Sequence, residues 1–411
     1  MNDLKTYKGE TLDILHTIDL DKLYPIVRCQ IDFKKSIDIE RLKKAVADIG
    51  EVIPEIFGSY DMKNNFFIVE DKDPSDIVVI QHHQISDEEP DIDLINGPQL
   101  KIIISENENF HAQHLVFLMS HILMDGAGFK DFLYLLVDCY NYGKEALQDI
   151  QLDRGIDGIK ELLNNFKSSN KVSDHPTEPL FLPELEQKED RRFRVGDLRF
   201  SKKETTDLIV KAHGLNLTLN DIFMAAFGQV VQDYCGVKDY SMACPTDIRR
   251  SIPDEEDGVF HLVNMTARYN LALTDTKDIP LKEFATRVHE QMKEFKSSHQ
   301  FLQSIQDLIK QSEYKQLDEL QEIVQENYHV RPIAYTNFGV IDADKIKFDG
   351  AEIEHFILTG SFRKAPMFQV AFSTFDNRVG LAFNMIGTMD EFRLGKVILK
   401  QMKNNILLLS A

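Results

Sequence analysis

The segment Ser120-His121-Ile122-Leu123-Met124-Asp125-Gly126 holds the residue types of proton-transfer chemistry at short range: a histidine, a carboxylate four positions on, and a glycine directly after it. An imidazole that titrates near neutrality can take a proton from a hydroxyl or amine as that group attacks a carbonyl, if one tautomer is held and the ring stays neutral. Asp125 has two available roles. It can orient the ring, or it can face away and pin the turn through a cation or a backbone donor, with Gly126 supplying backbone freedom. Three intervening apolar residues favour pinning. Two other readings use the same residues. A metal pair one helical turn apart is disfavoured by Gly126 and Gly128, which oppose a helix there, and no second close His or carboxylate pair completes a ligand set. A structural histidine closing a turn has the same spacing as a base, so spacing alone does not separate them.

The flanking elements must hold this turn. Leu115 to Met119 is an unbroken apolar run of strand length, as expected of a central strand covered on both faces. Phe129, Phe132, Leu133, Leu136, Val137 and Tyr140 recur at helical spacing and predict an amphipathic helix over 128–142. A polar, glycine-rich turn between such a strand and helix is where α/β proteins present functional groups. Upstream, Ile26 to Phe33 reads as a strand and 38–50 as a helix, capped by Asp38 and ended by Gly50. Phe66 to Val69, Ile77 to Ile80 and Leu100 to Ile104 read as further strands.

Periodicity fails from about Lys167 to Asp197, where Pro176, Pro179 and Pro183 precede the mixed charge run Glu186 to Arg194. This predicts an N-terminal domain over 1–172, a linker over 173–197 and a C-terminal domain over 198–411. The second half shows helical patterns at 204–213, 219–234, 282–298, 303–326 and 389–409. Strand candidates lie at Ser241 to Cys244, Ala334 to Phe338, Gln369 to Ser373 and Val379 to Phe383. Both halves are mixed α/β.

Composition narrows the function classes. Of 411 residues, 67 are acidic and 47 basic, a formal charge of −20, which argues against a nucleic-acid backbone binder. Hydrophobic residues at 43% supply sizeable cores. No apolar run is long enough for a membrane span, and the first residues lack a secretory pattern, so the expected location is the cytoplasm. Four scattered cysteines, Cys29, Cys139, Cys235 and Cys244, read as packed thiols, and none sits where it would serve as a nucleophile beside His121. The glycosylation triplets at Asn216 and Asn264 carry no weight in a cytoplasmic chain.

The His-x-x-x-Asp-Gly segment resembles the active-site motif of the thioester-dependent acyltransferase superfamily, which includes chloramphenicol acetyltransferase, the plant acyltransferases, alcohol acetyltransferases, polyketide-associated acyltransferases and condensation domains. IDIERLKKAVADIGEVIPEIFGSY, TLNDIFMAAFGQVVQDY, CPTDIRRSIP, GVFHLVNMT and YTNFGVI resemble that superfamily's other elements in the expected order over most of the chain. The resemblance implies an α/β fold of two similar chloramphenicol-acetyltransferase-like sandwich domains with a tunnel at their interface. It implies His121 as general base, Asp125 as structural carboxylate, Gly126 as turn glycine and Arg249 as the partner of Asp125. Thr336 and Asn337 would lie by the tunnel as candidate oxyanion donors. No permanently bound cofactor and no metal are implied. An acyl-CoA or phosphopantetheine thioester would be the co-substrate, an alcohol or amine the acceptor, and an acyl or peptidyl carrier protein a further partner. Ser120 replaces the first of two histidines usual in condensation domains, which weakens the case for peptide-bond synthesis.

The leading expectation is a stand-alone acyltransferase. Its alternatives are a carrier-dependent condensing or ester-forming enzyme and a lapsed, binding-only protein on the same scaffold. His82, His83, His111 and His114 read as structural. The pairs Arg249-Arg250, Lys202-Lys203 and Arg363-Lys364 could meet coenzyme A phosphates, with surface solvation the simpler account of each. The stretch 303–326 could form a lid, with an ordinary amphipathic helix the simpler choice.

Overall fold

A computed structural model describes residues 4–81, 92–107, 112–166, 179–186, 188–252, 258–328 and 330–410. Two hydrophobic cores form, one around each of two main sheets. The first sheet has five strands in the order Glu352–Thr359, Ile26–Lys35, Ala112–Ser120, Leu100–Asn107, Val78–Gln81. Ala112–Ser120 is its central strand, and Leu115 to Met119 are all buried, which accounts for an apolar run without alternation. Helices Ile39–Val52 and Gly126–Tyr142 contribute Leu42, Val46, Phe129, Phe132 and Leu136 to the same core. The Asp38 side chain caps the first of these helices by accepting from the Arg41 N–H.

The second main sheet has eight strands. Thr266–Leu273, Tyr240–Asp247, Ile333–Val340, Phe368–Phe375, Arg378–Gly387, Phe362–Lys364 and Leu23–Tyr24 follow one another, and Arg192–Arg199 also pairs with Arg378–Gly387. Helices Lys202–Gly214, Leu219–Cys235, Leu281–Ser297 and Met389–Ser410 bury their apolar faces against this core. Reciprocal capping boxes, Ser201 with Glu204 and Thr218 with Asp221, start the first two.

Several elements differ from the sequence reading, the strand Thr266–Leu273 and the helix Asp157–Asn165 among them. Arg192–Arg199 is a strand, so the predicted linker over 173–197 runs too far. Its charges misled: Arg194 is buried and donates to the Gly387 carbonyl at 2.9 Å, and Gly196 admits the Phe383 ring where a Cβ would stand 2.5 Å from it. Residues 173–178 and 187 of that linker lie outside the described residues. The single helix expected over 303–326 is two, Gln303–Ser312 and Leu317–Asn327, because a Gln316–Glu319 capping box starts a new one. Finally, Glu352–Thr359 was not anticipated as a strand.

The halves exchange edges. Glu352–Thr359, from the second half, completes the first sheet beside Ile26–Lys35, and Leu23–Tyr24 joins the second sheet beside Phe362–Lys364. An ionic cluster fastens the first exchange. His355 lies 3.4 Å from Asp32 and 3.0 Å from Asp197, and His114 lies 2.8 Å from the other oxygen of Asp32. Burial alone would lower the His355 pKa, but hydrogen bonds to Asp197 and Asp32 outweigh it and raise it to about 9. A raised histidine pKa stabilises the fold fully below the unfolded value near 6.5, and that contribution is lost as pH rises through about 9. Urea unfolding of wild type and H355Q between pH 6 and 10 should therefore show a stability gap that narrows by about 1–2 kcal/mol at the alkaline end. A gap independent of pH would contradict this account of the cluster.

Candidate active site

His121 follows the last residue of the central strand, at the seam between the two cores. Its N–H donates to the Pro25 carbonyl at 2.9 Å, which fixes the backbone as the chain leaves the sheet. Its Nδ1 lies 3.2 Å from Asn264 Oδ1. The orientation of that amide is set independently, because Asn264 Nδ2 donates to the carbonyls of His121 and Ile122 at 2.9 and 3.1 Å and to Asp13 Oδ1 at 2.9 Å. An oxygen facing Nδ1 requires the proton on Nδ1, and the lone pair is left on Nε2. Burial lowers the His121 pKa, with Asp125 and Asn264 opposing it, so the ring is neutral at pH 7.

Asp125 faces away from the ring. It is fully buried and caps the helix Gly126–Tyr142, accepting from the N–H groups of Ala127 at 3.1 Å and Gly128 at 2.9 Å. From the other half it receives Arg249 Nη1 at 3.0 Å, the Met265 N–H at 2.7 Å and Thr266 Oγ1 at 3.0 Å. Burial would raise this carboxyl, but Arg249 and the backbone donors outweigh it and hold it well below the usual range. Arg249 is also bound by Asp247 at 2.9 Å and the Val263 carbonyl at 3.1 Å, and its own pKa is raised by the two aspartates against the opposing effect of burial. Gly126 has a different role from the one read in the sequence. Its φ is not positive; what it supplies is space, since a Cβ there would stand 2.6 Å from the Phe338 ring.

The His121 ring borders a cavity of about 360 Å³ whose walls come from both halves. Thr336 and Asn337 line it, as do Arg250 and Arg363. Asn337 is partly committed: its Nδ2 donates one hydrogen to Asn220 at 2.8 Å and its Oδ1 accepts from the Gly339 N–H at 2.9 Å. The pair Lys202-Lys203 lies in exposed ion pairs with Asp376 and Asp207. His114 is held in the ionic cluster, whereas His82, His83 and His111 lie outside the described residues. Burial pushes the Cys139 thiol up to about 12 and also raises Cys29, Cys235 and Cys244, so all four stay protonated at neutral pH.

Three residues escaped the sequence reading. Asn264, noted there only as a glycosylation triplet, is buried beside His121. Asp13 accepts from the backbone and the amide of Asn264, and burial lifts its carboxyl to about 7 against those hydrogen bonds. His16 stacks on His121 with ring centroids 3.8 Å apart. Burial, then the neighbouring His121, drives its pKa well down, so the stack is uncharged at neutral pH. The single turn Asp13–His16 carries no local signal that ties it to positions more than a hundred residues away.

The model of the Condensation domain family matches residues 26–358, and the chain belongs to that family. Its fold is shared by solved structures at low identity. Polyketide synthase associated protein 5 from Mycobacterium tuberculosis is 12% identical with a TM-score of 0.67, over 98% of this chain and 97% of the other. Trichothecene 15-O-acetyltransferase from Fusarium sporotrichioides is 12% identical with a TM-score of 0.64, over 98% and 96%. The first condensation domain of the calcium-dependent antibiotic synthetase is 11% identical with a TM-score of 0.64, over 100% and 98%. No curated protein sequence matches. The fold is thus the two-part chloramphenicol-acetyltransferase-like one, and acyl transfer is the class of chemistry that the family supports. Among the described residues no helix is long and apolar enough to cross a membrane, and no group of His, Cys, Asp and Glu is arranged to hold a metal.

The Asp125–Arg249 pair joins the halves in a buried setting, where removing one partner strands the other charge. D125N should lower the unfolding free energy by about 3–5 kcal/mol in urea titration, and D125N combined with R249M should recover part of that loss.

Proposed function

We propose that this protein is an acyltransferase that moves an acyl group from a coenzyme A or carrier-bound thioester to an alcohol or amine, with His121 as general base. The observation that carries this reading is a neutral imidazole, protonated on Nδ1, on the wall of a cavity built by both halves. In this scheme the acceptor O–H or N–H gives its proton to Nε2 as its heavy atom attacks the thioester carbonyl. The tetrahedral oxyanion collapses, the carbon–sulfur bond breaks, and the departing thiolate takes the proton back from His121. No acyl-enzyme is required.

Asp125 supports the base indirectly, by holding the turn. Thr336 and Asn337, both on the cavity wall, are the candidate oxyanion donors, the Asn337 amide with one of its two hydrogens given to Asn220. Coenzyme A or a phosphopantetheine arm is a co-substrate here, and a carrier protein is the partner in the carrier-bound case. The binding-only alternative is not favoured, since His121 reaches the cavity and is not sealed among packed side chains.

Thiol release from acyl-CoA in the presence of alcohols and amines tests the reading. H121A should lower the rate by roughly 10²–10⁴-fold, and activity surviving that change would sink it. The base must be unprotonated, and its pKa is lowered from 6.5. The rate should therefore be flat from about pH 7 to 8.5 and fall only on the acid side of about 6.5.

A further inference from the structure

The cavity beside His121 has a charge sign opposite to that of the protein. The chain carries a net −20, yet Lys130, Arg250, Arg268, Arg331 and Arg363 all border this cavity, and Asp247 is the acidic residue among its described walls. Asp247 is already paired with Arg249 at 2.9 Å. Three of the arginines, Arg268, Arg331 and Arg363, are buried.

Arg363 is the informative one. It sits on the short strand Phe362–Lys364 at the seam and is only 8% exposed, so the solvated surface charge read from the sequence is wrong for this residue. Its contacts are neutral acceptors: Nη1 donates to the Arg331 carbonyl at 2.8 Å, and Nε lies 3.5 Å from Gln369 Oε1. Neither contact neutralises the guanidinium, and Nη2 is engaged by neither. Burial lowers its pKa to about 10, which leaves it fully charged at neutral pH. A desolvated cation facing a cavity is compensated when an anion enters, and a guanidinium matches the two oxygens of a carboxylate.

We infer that the cavity takes a substrate bearing a carboxylate, seated on Arg363 within the cationic wall formed with Arg331 and Arg268. This deepens the acyl-transfer reading and rests on it. The transferred acyl group or its acceptor would then be an acid at the end remote from the reacting atoms. A donor phosphate offers related chemistry, and the test below separates the two sources.

Equilibrium binding to the full chain, measured by calorimetry or ligand-observed NMR, compares hexanoate, 1-hexanol and pantetheine 4′-phosphate. Hexanoate should bind at least tenfold more tightly than hexanol to wild type, and R363Q should abolish that preference. H121A should keep it, so binding and turnover are read separately and the failure of one does not imply failure of the other. Equal affinity for hexanoate and hexanol in wild type overturns the inference whether or not R363Q folds. Loss of pantetheine 4′-phosphate binding in R363Q, with no preference for hexanoate, reassigns the site to a donor phosphate and overturns it as well.

Discussion

The carboxylate of Asp125 is the constraint on which the site depends. Five donors converge on it, two from the helix that follows the His121 turn and three from the opposite half. A buried carboxylate is costly unless paired and hydrogen-bonded, and this one is both. Its coordination fixes the distance between the Gly126–Tyr142 helix and the Met265–Thr266 segment. Asn264, the residue before that segment, is thereby placed against His121. One ionised group thus positions a catalytic candidate that it does not touch.

Around the ring, several buried groups have pKa values moved by their surroundings. His16 and His121 lie face to face and neutral, with Asp13 linked to them through Asn264. Two stacked imidazoles 3.8 Å apart tolerate one positive charge poorly and two worse. The stack therefore stays neutral at rest, which leaves a lone pair free for the acceptor proton while making the ring a weaker base than a solvated imidazole. The glycine after Asp125 has a matching spatial role, because Phe338 from the other half fills the place of its absent side chain.

Local features of the sequence were the legible part. The apolar run Leu115 to Met119, the period of the following helix and the polar turn between them placed His121 correctly at a strand-to-helix junction. Arg249 was found through the resemblance rather than through any signal of its own, and it sits against Asp125. What escaped depends on contacts distant in sequence. Asp13, His16 and Asn264 have unremarkable neighbours, and only folding brings positions 13, 121 and 264 together. The strand Glu352–Thr359 begins with Glu, Ile and Glu, exposed at that end, and was absent from the strand candidates because the partner that orders it lies some 320 positions earlier. Arg194, at the end of the charge run assigned to the linker, and Arg363, in a pair read as solvated, are both buried, because local sequence does not show which single cation a fold encloses.

The exchange of edge strands also bears on how the molecule is made. Ile26–Lys35 has Glu352–Thr359 as its outer neighbour, so during translation that strand keeps a bare edge until some 320 further residues have been made. Until then its unpaired amides and carbonyls are open to mispairing with another nascent chain. Assembly in the cell is therefore a late, long-range closure that neither half can complete alone.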